Sequence, residues 1–278
     1  MSRAIRDMKP GLAEVVDWTR PWLAPLMPTV APIFHRADWQ GINEVAAQRG
    51  LLNHRNLPLR FVPQSDLPAG TAYEEFISRT GCIPTRENLH DFFNALVWLT
   101  FPHIKAQLNA LHADEISRTR ASADPKHTRG KLRDAATIFD ENGALIVARD
   151  QKFIEALCEH RWRHVFVEGR ASFGRNWDVW LFGHALMEKL VTPYKAITAH
   201  ALPIVADNDF FAMPFHDKAV WIDRIVSKRL TNGVATAELT PLPILGVPGW
   251  WHDQDDVFYG DAAVFRPKRV RGPDEFPK

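Results

Sequence analysis

The chain has 278 residues, of which 46% are hydrophobic and 24% are charged, and its formal net charge is +1. These values are typical of a soluble globular protein and exclude the strongly basic field of a non-specific nucleic-acid-binding protein. No apolar run approaches the roughly 20 residues that span a bilayer. The N-terminal residues lack the apolar core of a signal peptide, so we expect a cytoplasmic protein.

Only two cysteines, Cys82 and Cys158, occur in the chain. Two thiols are too few for a disulfide framework or for a thiolate-rich zinc site. A bound metal would therefore depend on carboxylates and on the 12 histidines, a ligand set that suits zinc, manganese or iron. The glycine-rich signatures of nucleotide-binding loops are absent, so we expect no nucleotide cofactor.

The N-terminal half combines a proline-rich beginning with a series of helices. Residues 1–35 contain five prolines and predict an irregular arm. The basic segment 118–133 contains Pro and Gly and is predicted to be a loop. Between these segments we predict a helix over 38–47, a short strand over 57–62, a helix over 71–80 with Gly81 as its C-cap, a helix over 86–100 with Thr85 as its N-cap, and a helix from Pro102 to about Ser117.

The C-terminal half contains the main strand signals. Asn142-Gly143 separates two strand-like runs and predicts a β-hairpin over 137–147. The tail from Pro241 is rich in Pro and Gly, so we expect neither a regular helix nor a regular strand there. Between hairpin and tail we predict a helix over 152–160, a strand over 164–167, an apolar helix over 177–190 and a strand over 196–202.

These elements predict a single α+β domain that is mainly helical. Its small sheet would consist of the hairpin and one or two further strands. Residues 36–240 would form the core, with residues 1–35 as an irregular N-terminal arm. Residues 241–278 would form a Pro- and Trp-rich C-terminal tail that packs against this core.

A histidine and a glutamate interrupt the most apolar segment of the chain. On the helix predicted over 177–190, His184 and Glu188 are four residues apart and share one face. A helix that is apolar nearly all the way round is usually buried, and a buried carboxylate must be paired, coordinated or protonated. The pair indicates either a metal site, with Glu188 as base or supporting carboxylate, or a structural hydrogen bond inside the core.

The helix predicted over 86–100 carries an unusual polar side. Its apolar residues fill one arc, whereas His90, Asp91 and Asn94 lie on the opposite arc. A plain solvent-facing side usually carries Lys, Glu and Gln instead. His90 and Asp91 are therefore candidate metal ligands, and the alternative is that these side chains bond to neighbouring loops.

Further candidates lie on adjacent segments. His200 belongs to the strand predicted directly after the His184 segment, and consecutive elements usually pack together. It is either a third histidine ligand or a core histidine bonded to Thr198. Arg133 and Asp134 are candidates for contacting an anionic small-molecule substrate or for forming a buried ion pair.

Two charged segments are weaker candidates for a catalytic or binding site. Asp140 and Glu141 precede the Asn-Gly pair, and we interpret them as ordinary turn residues rather than catalytic carboxylates. The 118–133 segment carries six Lys or Arg residues. Because it lacks interleaved aromatic residues for base stacking, we do not expect nucleic acid as a partner.

Seven blocks of the sequence, which together span roughly two-thirds of the chain, are distinctive: residues 84–99, 133–143, 183–190, 198–200, 245–250, 258–259 and 264–267. Taken together, these blocks resemble an uncharacterised bacterial family known as domain of unknown function 3025. The resemblance implies a cytoplasmic bacterial protein and carries no activity or site residue with it.

The leading hypothesis is a metal-dependent hydrolase with His90, Asp91, His184 and His200 as candidate ligands. Glu188, Arg133 and Asp134 would assist catalysis. One alternative is a non-enzymatic binding or scaffold protein whose buried polar groups form a structural network. The third hypothesis is binding of RNA or a phosphate ligand through the basic 118–133 loop.

Overall fold

The computed structural model describes residues 12–36, 38–121 and 131–268. The chain forms one mainly helical α+β domain with two small sheets, which confirms the predicted fold class. The helices are α1 (Met27–Val30), α2 (Trp39–Gln48), α3 (Tyr73–Thr80), α4 (Leu89–Thr100), α5 (Pro102–Ala121), α6 (Lys131–Asn142), α7 (Gln151–Cys158), α8 (His184–Lys189), α9 (Asn208–Ala212), α10 (Phe215–Leu230) and α11 (Asp256–Tyr259). The strands are β1 (Arg60–Pro63), β2 (Cys82–Thr85), β3 (Gly143–Ala148), β4 (Trp177–Leu181), β5 (Thr198–Val205) and β6 (Thr240–Pro243).

The main sheet has four strands in the order β4-β3-β5-β6. β3 runs parallel to β5 and antiparallel to β4, and β5 runs antiparallel to β6. Every residue of β3 and β4 is buried, because helices or irregular segments cover both faces of the sheet centre. A separate two-stranded parallel sheet joins β1 to β2.

The helices of the N-terminal half largely follow the sequence signals. Asp38 caps α2 by accepting a hydrogen bond from the Gly41 amide. Gly81 ends α3 in the left-handed conformation with φ 73°, as its position after a helical run predicted. The helix predicted over 86–100 starts later, because Asn88 and not Thr85 is the N-cap. α5 begins at Pro102 as predicted and extends to Ala121.

The predicted hairpin over 137–147 is wrong. Residues 131–142 form α6, and Gly143 is the first residue of β3. Ala135, Ala136 and Phe139 bury one face of α6, and this tertiary packing outweighs the local preference of Asn-Gly for a turn. Asn-Gly here makes the transition from helix to strand.

The predicted apolar helix over 177–190 is also wrong, because this segment divides into β4 and α8. A strand that is buried on both faces shows the same continuous apolar run as a buried helix. The segment predicted as a strand over 164–167 lies instead in a π-helical turn, Arg163–Val167.

The tail from Pro241 is more regular than predicted, since it contributes β6 and α11. β6 tolerates Pro241 and Pro243 because it lies at the edge of the sheet and pairs with β5 alone. None of the helices in the described ranges has both the length and the apolar character needed to cross a membrane.

Two glycines hold α6, β3, β4 and α8 together. The Gly183 amide donates a hydrogen bond of 2.8 Å to the Gly143 carbonyl. A Cβ added at Gly183 would lie 2.4 Å from the Gly143 nitrogen, so the backbones approach too closely for any other residue. Lys189 adds a 2.7 Å hydrogen bond to the Asn142 side chain. The end of α6 and the start of α8 are therefore fixed side by side.

Candidate metal site

Three helix ends supply the side chains of the candidate site. His90 is in the first turn of α4, Glu141 in the last turn of α6, and His184 is the first residue of α8. α8 packs against both α4 and α6. The site thus depends on the contact between Gly143 and Gly183, because this contact places Glu141 beside His184.

Each of His90, Glu141 and His184 has one nitrogen or carboxylate oxygen within 4.8 Å of the corresponding atoms of the other two. The His184 Nε2 atom lies 3.4 Å from the Glu141 Oε2 atom. Two ligand atoms of a tetrahedral zinc ion, each at about 2.1 Å from the metal, are about 3.4 Å apart. The His90 and His184 rings meet edge to face with centroids 4.5 Å apart.

Glu188 supports His90 from outside this group. Its Oε2 atom lies 3.0 Å from His90 Nδ1, and the Glu188 side chain is 43% exposed. A carboxylate at Nδ1 selects the tautomer that carries its proton there and leaves the Nε2 lone pair free. The expectation that Glu188 is buried beside His184 is therefore wrong, and Glu188 instead joins α8 to α4 through His90.

His184 is the most strongly perturbed imidazole of the site. Burial lowers its pKa to about 4, against the opposing influence of the charge and backbone of Asp140. The ring is therefore neutral at pH 7 and has one free lone pair, as a metal ligand requires. Within the described part of the chain, its Nδ1 atom is buried and makes no hydrogen bond.

The two neutral tautomers of His184 both leave a polar atom unsatisfied in the metal-free site. A proton on Nε2 gives a long contact to Glu141 and leaves the buried Nδ1 lone pair without a donor. A proton on Nδ1 instead places the Nε2 lone pair against the Glu141 carboxylate. A cation between His184 and Glu141 would remove this second conflict.

The carboxylate of Glu141 has a raised pKa, first because of burial and then because of the neighbouring charge of Asp140. Asp140 itself forms a buried ion pair, with Lys105 Nζ at 2.6 and 2.9 Å from its two oxygens. The Lys105–Asp140 pair connects α5 to the last turn of α6. It holds the backbone next to Glu141 in place and satisfies the charge of Asp140.

A cleft of about 370 Å³ opens onto the three residues. Its lining includes four carboxylates, from Glu74, Asp91, Asp140 and Glu141, and one arginine, Arg86. Arg86 pairs with Asp91 and Lys105 pairs with Asp140, so Glu74 and Glu141 are the lining carboxylates that have no lysine or arginine partner among the described residues. Tyr73 and Asn94 also line the cleft and bond to each other at 3.2 Å.

The structure brings together only some of the residues that the sequence indicated. Asp91 lines the cleft but accepts two hydrogen bonds from the Arg86 guanidinium, each of 3.0 Å, and one from the Arg86 amide. His200 lies outside the group, in β5 between Gly143 of β3 and Pro241 of β6. The Asp91 carboxylate is therefore paired with Arg86. His200 is half-buried in the sheet and is not a member of the three-residue group.

Of the two residues proposed to contact an anionic substrate, only Asp134 can be placed. Asp134 is exposed in the first turn of α6, two helical turns before Glu141, and does not line the cleft. The side chain of Arg133 lies outside the described residues, so its predicted contact with an anion stays a prediction.

Glu141 is the site residue that sequence reasoning missed. The turn preference of Asp-Glu-Asn-Gly led to an interpretation as a hairpin turn, whereas Glu141 ends a helix. The helical spacing of the buried Ala135, Ala136 and Phe139 was the signal that could have revealed α6. Once α6 is recognised, Glu141 is placed in its last turn, directly after the buried Asp140.

The model of the family described as "Protein of unknown function (DUF3025)" matches residues 59–269. The match covers well over half of the chain, and the chain belongs to this family. It includes His90, Glu141, His184 and Glu188. No curated protein and no solved structure shows significant similarity to the chain.

Proposed function

We propose that this member of the DUF3025 family binds a divalent metal ion through His90, Glu141 and His184 and uses it in hydrolysis. The observation that supports this proposal is the convergence of two imidazoles and one carboxylate, from three separate helices, at the base of an open cleft. Because each of the three side chains comes from a different helix, the tertiary fold brings them together, not their proximity in the sequence.

Two histidines and one carboxylate form a ligand set that suits zinc, manganese or iron. Three protein ligands leave a coordination position open for water, as in catalytic rather than structural zinc sites. Such an ion would lower the pKa of bound water to about 7 and generate hydroxide at neutral pH. Hydrolysis of a small-molecule substrate is the reaction class that this chemistry favours.

The surrounding residues would prepare the ligands. Glu188 would hold the His90 ring with Nδ1 protonated, so that Nε2 faces the metal. Burial would keep His184 neutral. The Lys105–Asp140 pair would fix the last turn of α6 and thereby place Glu141. In this account Glu188 is a positioning residue and not the base expected from the sequence.

Metal content measured by mass spectrometry tests the proposal. Wild-type protein, dialysed after incubation with zinc, manganese or iron(II), should retain about one ion per chain. His184→Ala and Glu141→Gln should lose the ion while keeping their circular dichroism spectrum. His200→Ala is the matched control and should retain the ion, because His200 lies outside the group.

Two results would count against the proposal. Wild-type protein that remains metal-free after all three incubations would remove the metal site. Equal metal retention by wild type, His184→Ala and Glu141→Gln would show that the ion binds elsewhere. If the site is confirmed, a screen of ester, amide and phosphoester substrates with the retained metal would then test for hydrolysis.

A non-enzymatic scaffold is the second candidate function. The observation in its favour is the buried polar network beside the site, in which Glu74 accepts hydrogen bonds from Asn109 and lies 3.8 Å from His112. On this account His184 and Glu141 extend a structural network. His184→Ala would then destabilise the protein and change no metal content.

The third hypothesis, RNA or phosphate binding through the 118–133 loop, falls mostly outside the described residues. Arg118 and Arg120 belong to α5, where they pair with Asp114 and Glu75. Both guanidiniums thus already have carboxylate partners among the described residues. We also propose a cytoplasmic location, for which composition is the support.

A further inference from the structure

We infer that a second pocket, separate from the metal site, binds a small phosphorylated molecule. This pocket, called here the basic pocket, has a volume of about 660 Å³. It lies between the segment 49–56 after α2, the first turns of α5 and the C-terminal end of α10. No residue that lines it also lines the cleft at His90 and His184.

The charge of the basic pocket is one-sided. The cations Arg49 and Lys228 line it together with the imidazoles of His54 and His103, and no aspartate or glutamate is among its described lining residues. The chain as a whole has 34 lysines and arginines and 33 aspartates and glutamates. The lack of carboxylates in the pocket lining therefore does not reflect an excess of positive charge in the whole protein. Asp223 contacts His103 Nδ1, but it is itself buried and does not line the pocket, so the guanidinium and ammonium groups remain available to an anionic ligand.

Arg49 is the central cation. Its guanidinium donates a 2.9 Å hydrogen bond to the Leu99 carbonyl at the end of α4 and longer ones to Pro28 and Thr29. All these acceptors are uncharged, and partial burial lowers the pKa of the guanidinium. A guanidinium whose partners among the described residues are all neutral gains from a bound anion, and the arginine fork suits the oxygens of a phosphate group.

The wall of the basic pocket is rigid before any ligand binds. The buried side chain of Asn53 donates to the carbonyls of Ile77 and Ser78 and accepts from the amides of Arg55 and Leu57. These four bonds hold the segment after α2 in one conformation. Preorganisation of this kind reduces the entropy lost when a ligand binds.

His103 and Lys228 are the other two basic side chains on which the inference rests. Asp223 lies 2.7 Å from His103 Nδ1 and thereby fixes the ring, so that Nε2 remains for a ligand. Lys228 is exposed and makes no ion pair with any described residue. Arginine, lysine and histidine thus approach the pocket from three different elements.

The volume and the lining indicate the class of ligand. Pockets for small molecules usually measure about 300–1,000 Å³. Besides its cations, the basic pocket has amide and hydroxyl groups from Asn56, Gln107, Ser227 and Thr231. This combination suits a polar metabolite with a phosphate group, whose hydroxyl or amide groups would meet the neutral side chains.

Isothermal titration calorimetry with sodium pyrophosphate as the probe tests the inference. The full chain is titrated at constant ionic strength in a buffer with a chelator, so that a metal ion at His90 and His184 does not contribute. Wild type should bind with a Kd below about 1 mM. Lys228→Gln and Arg49→Lys should each weaken binding about tenfold, because each loses a charge-assisted contact.

Arg224→Gln is the matched control. Arg224 is exposed one turn before Lys228 on α10 but does not line the basic pocket, so this variant should bind pyrophosphate within about twofold of wild type. Three results would overturn the inference: no saturable binding by wild type, equal weakening in Arg224→Gln and Lys228→Gln, or tighter binding of citrate than of pyrophosphate. Unchanged pyrophosphate binding by His184→Ala would confirm that the metal site is not involved.

Discussion

The burial of His184 predicts a specific dependence of stability on pH. An imidazole in the unfolded chain has a pKa of about 6.5, whereas that of His184 in the folded protein is about 4. Between these two values the unfolded state binds a proton that the folded state does not bind. The free energy of unfolding therefore falls as the pH decreases from 7 towards 4, and this loss is absent above about pH 7.

The magnitude follows from the difference between the two pKa values. At about 1.4 kcal/mol for each pH unit, it corresponds to about 3 kcal/mol between pH 7 and pH 4. The His184 side chain is only 5% exposed, so solvent screening removes little of this free energy. His184→Gln replaces the imidazole by a side chain that does not titrate, and should lose this part of the pH dependence.

Urea unfolding of wild type and His184→Gln at several pH values between 4 and 7.5 measures this difference. A chelator is needed, since protons compete with any metal for the same histidine. The wild type should lose about 3 kcal/mol more than the variant over this range. Parallel pH profiles would refute the account, because His184 would then titrate equally in the folded and unfolded states.

Three further predictions concern the supports of the site. Lys105→Met should lower the free energy of unfolding, measured by urea unfolding, by about 3–5 kcal/mol, because it leaves Asp140 buried and unpaired. The double variant Lys105→Met/Asp140→Leu should recover most of this loss. Gly183→Ala should cost at least about 1–3 kcal/mol in thermal or urea unfolding, since its Cβ would collide with backbone atoms. Glu188→Ala should weaken metal binding about 10–100-fold in calorimetry, because Glu188 bonds to His90. Glu87 is exposed, and Glu87→Ala should leave metal binding unchanged. Equal effects of the two substitutions would show that Glu188 does not position His90.

Amphipathic periodicity was sufficient to predict α2, α3, α4 and α5, whereas α1 lies in the segment predicted to be an irregular arm. α2, α3 and α5 have clear start or stop signals at Asp38, Gly81 and Pro102, and these signals act within a few residues of the chain. α4 was predicted with His90, Asp91 and Asn94 on one side. The separate roles of His90 and Asp91 depend on Arg86 and Glu188, because Arg86 pairs with Asp91 whereas Glu188 bonds to His90.

The errors in the C-terminal half have a common physical cause. The segments 137–147 and 177–190 are buried, and their structure is determined by tertiary contacts that local preference does not contain. Gly143 and Gly183 had to be recognised as a pair of close backbone neighbours. Without this contact, Glu141 could not be assigned to the same site as His184, although His184 itself was identified from its apolar surroundings.

The most direct test of the metal site is anomalous diffraction from crystals of the wild-type protein grown with zinc. We predict an anomalous peak at the zinc edge about 2.0–2.2 Å from a nitrogen of His90, His184 Nε2 and a Glu141 oxygen. An ordered site without such a peak, in crystals that hold His90, Glu141 and His184 as described here, would contradict the proposal.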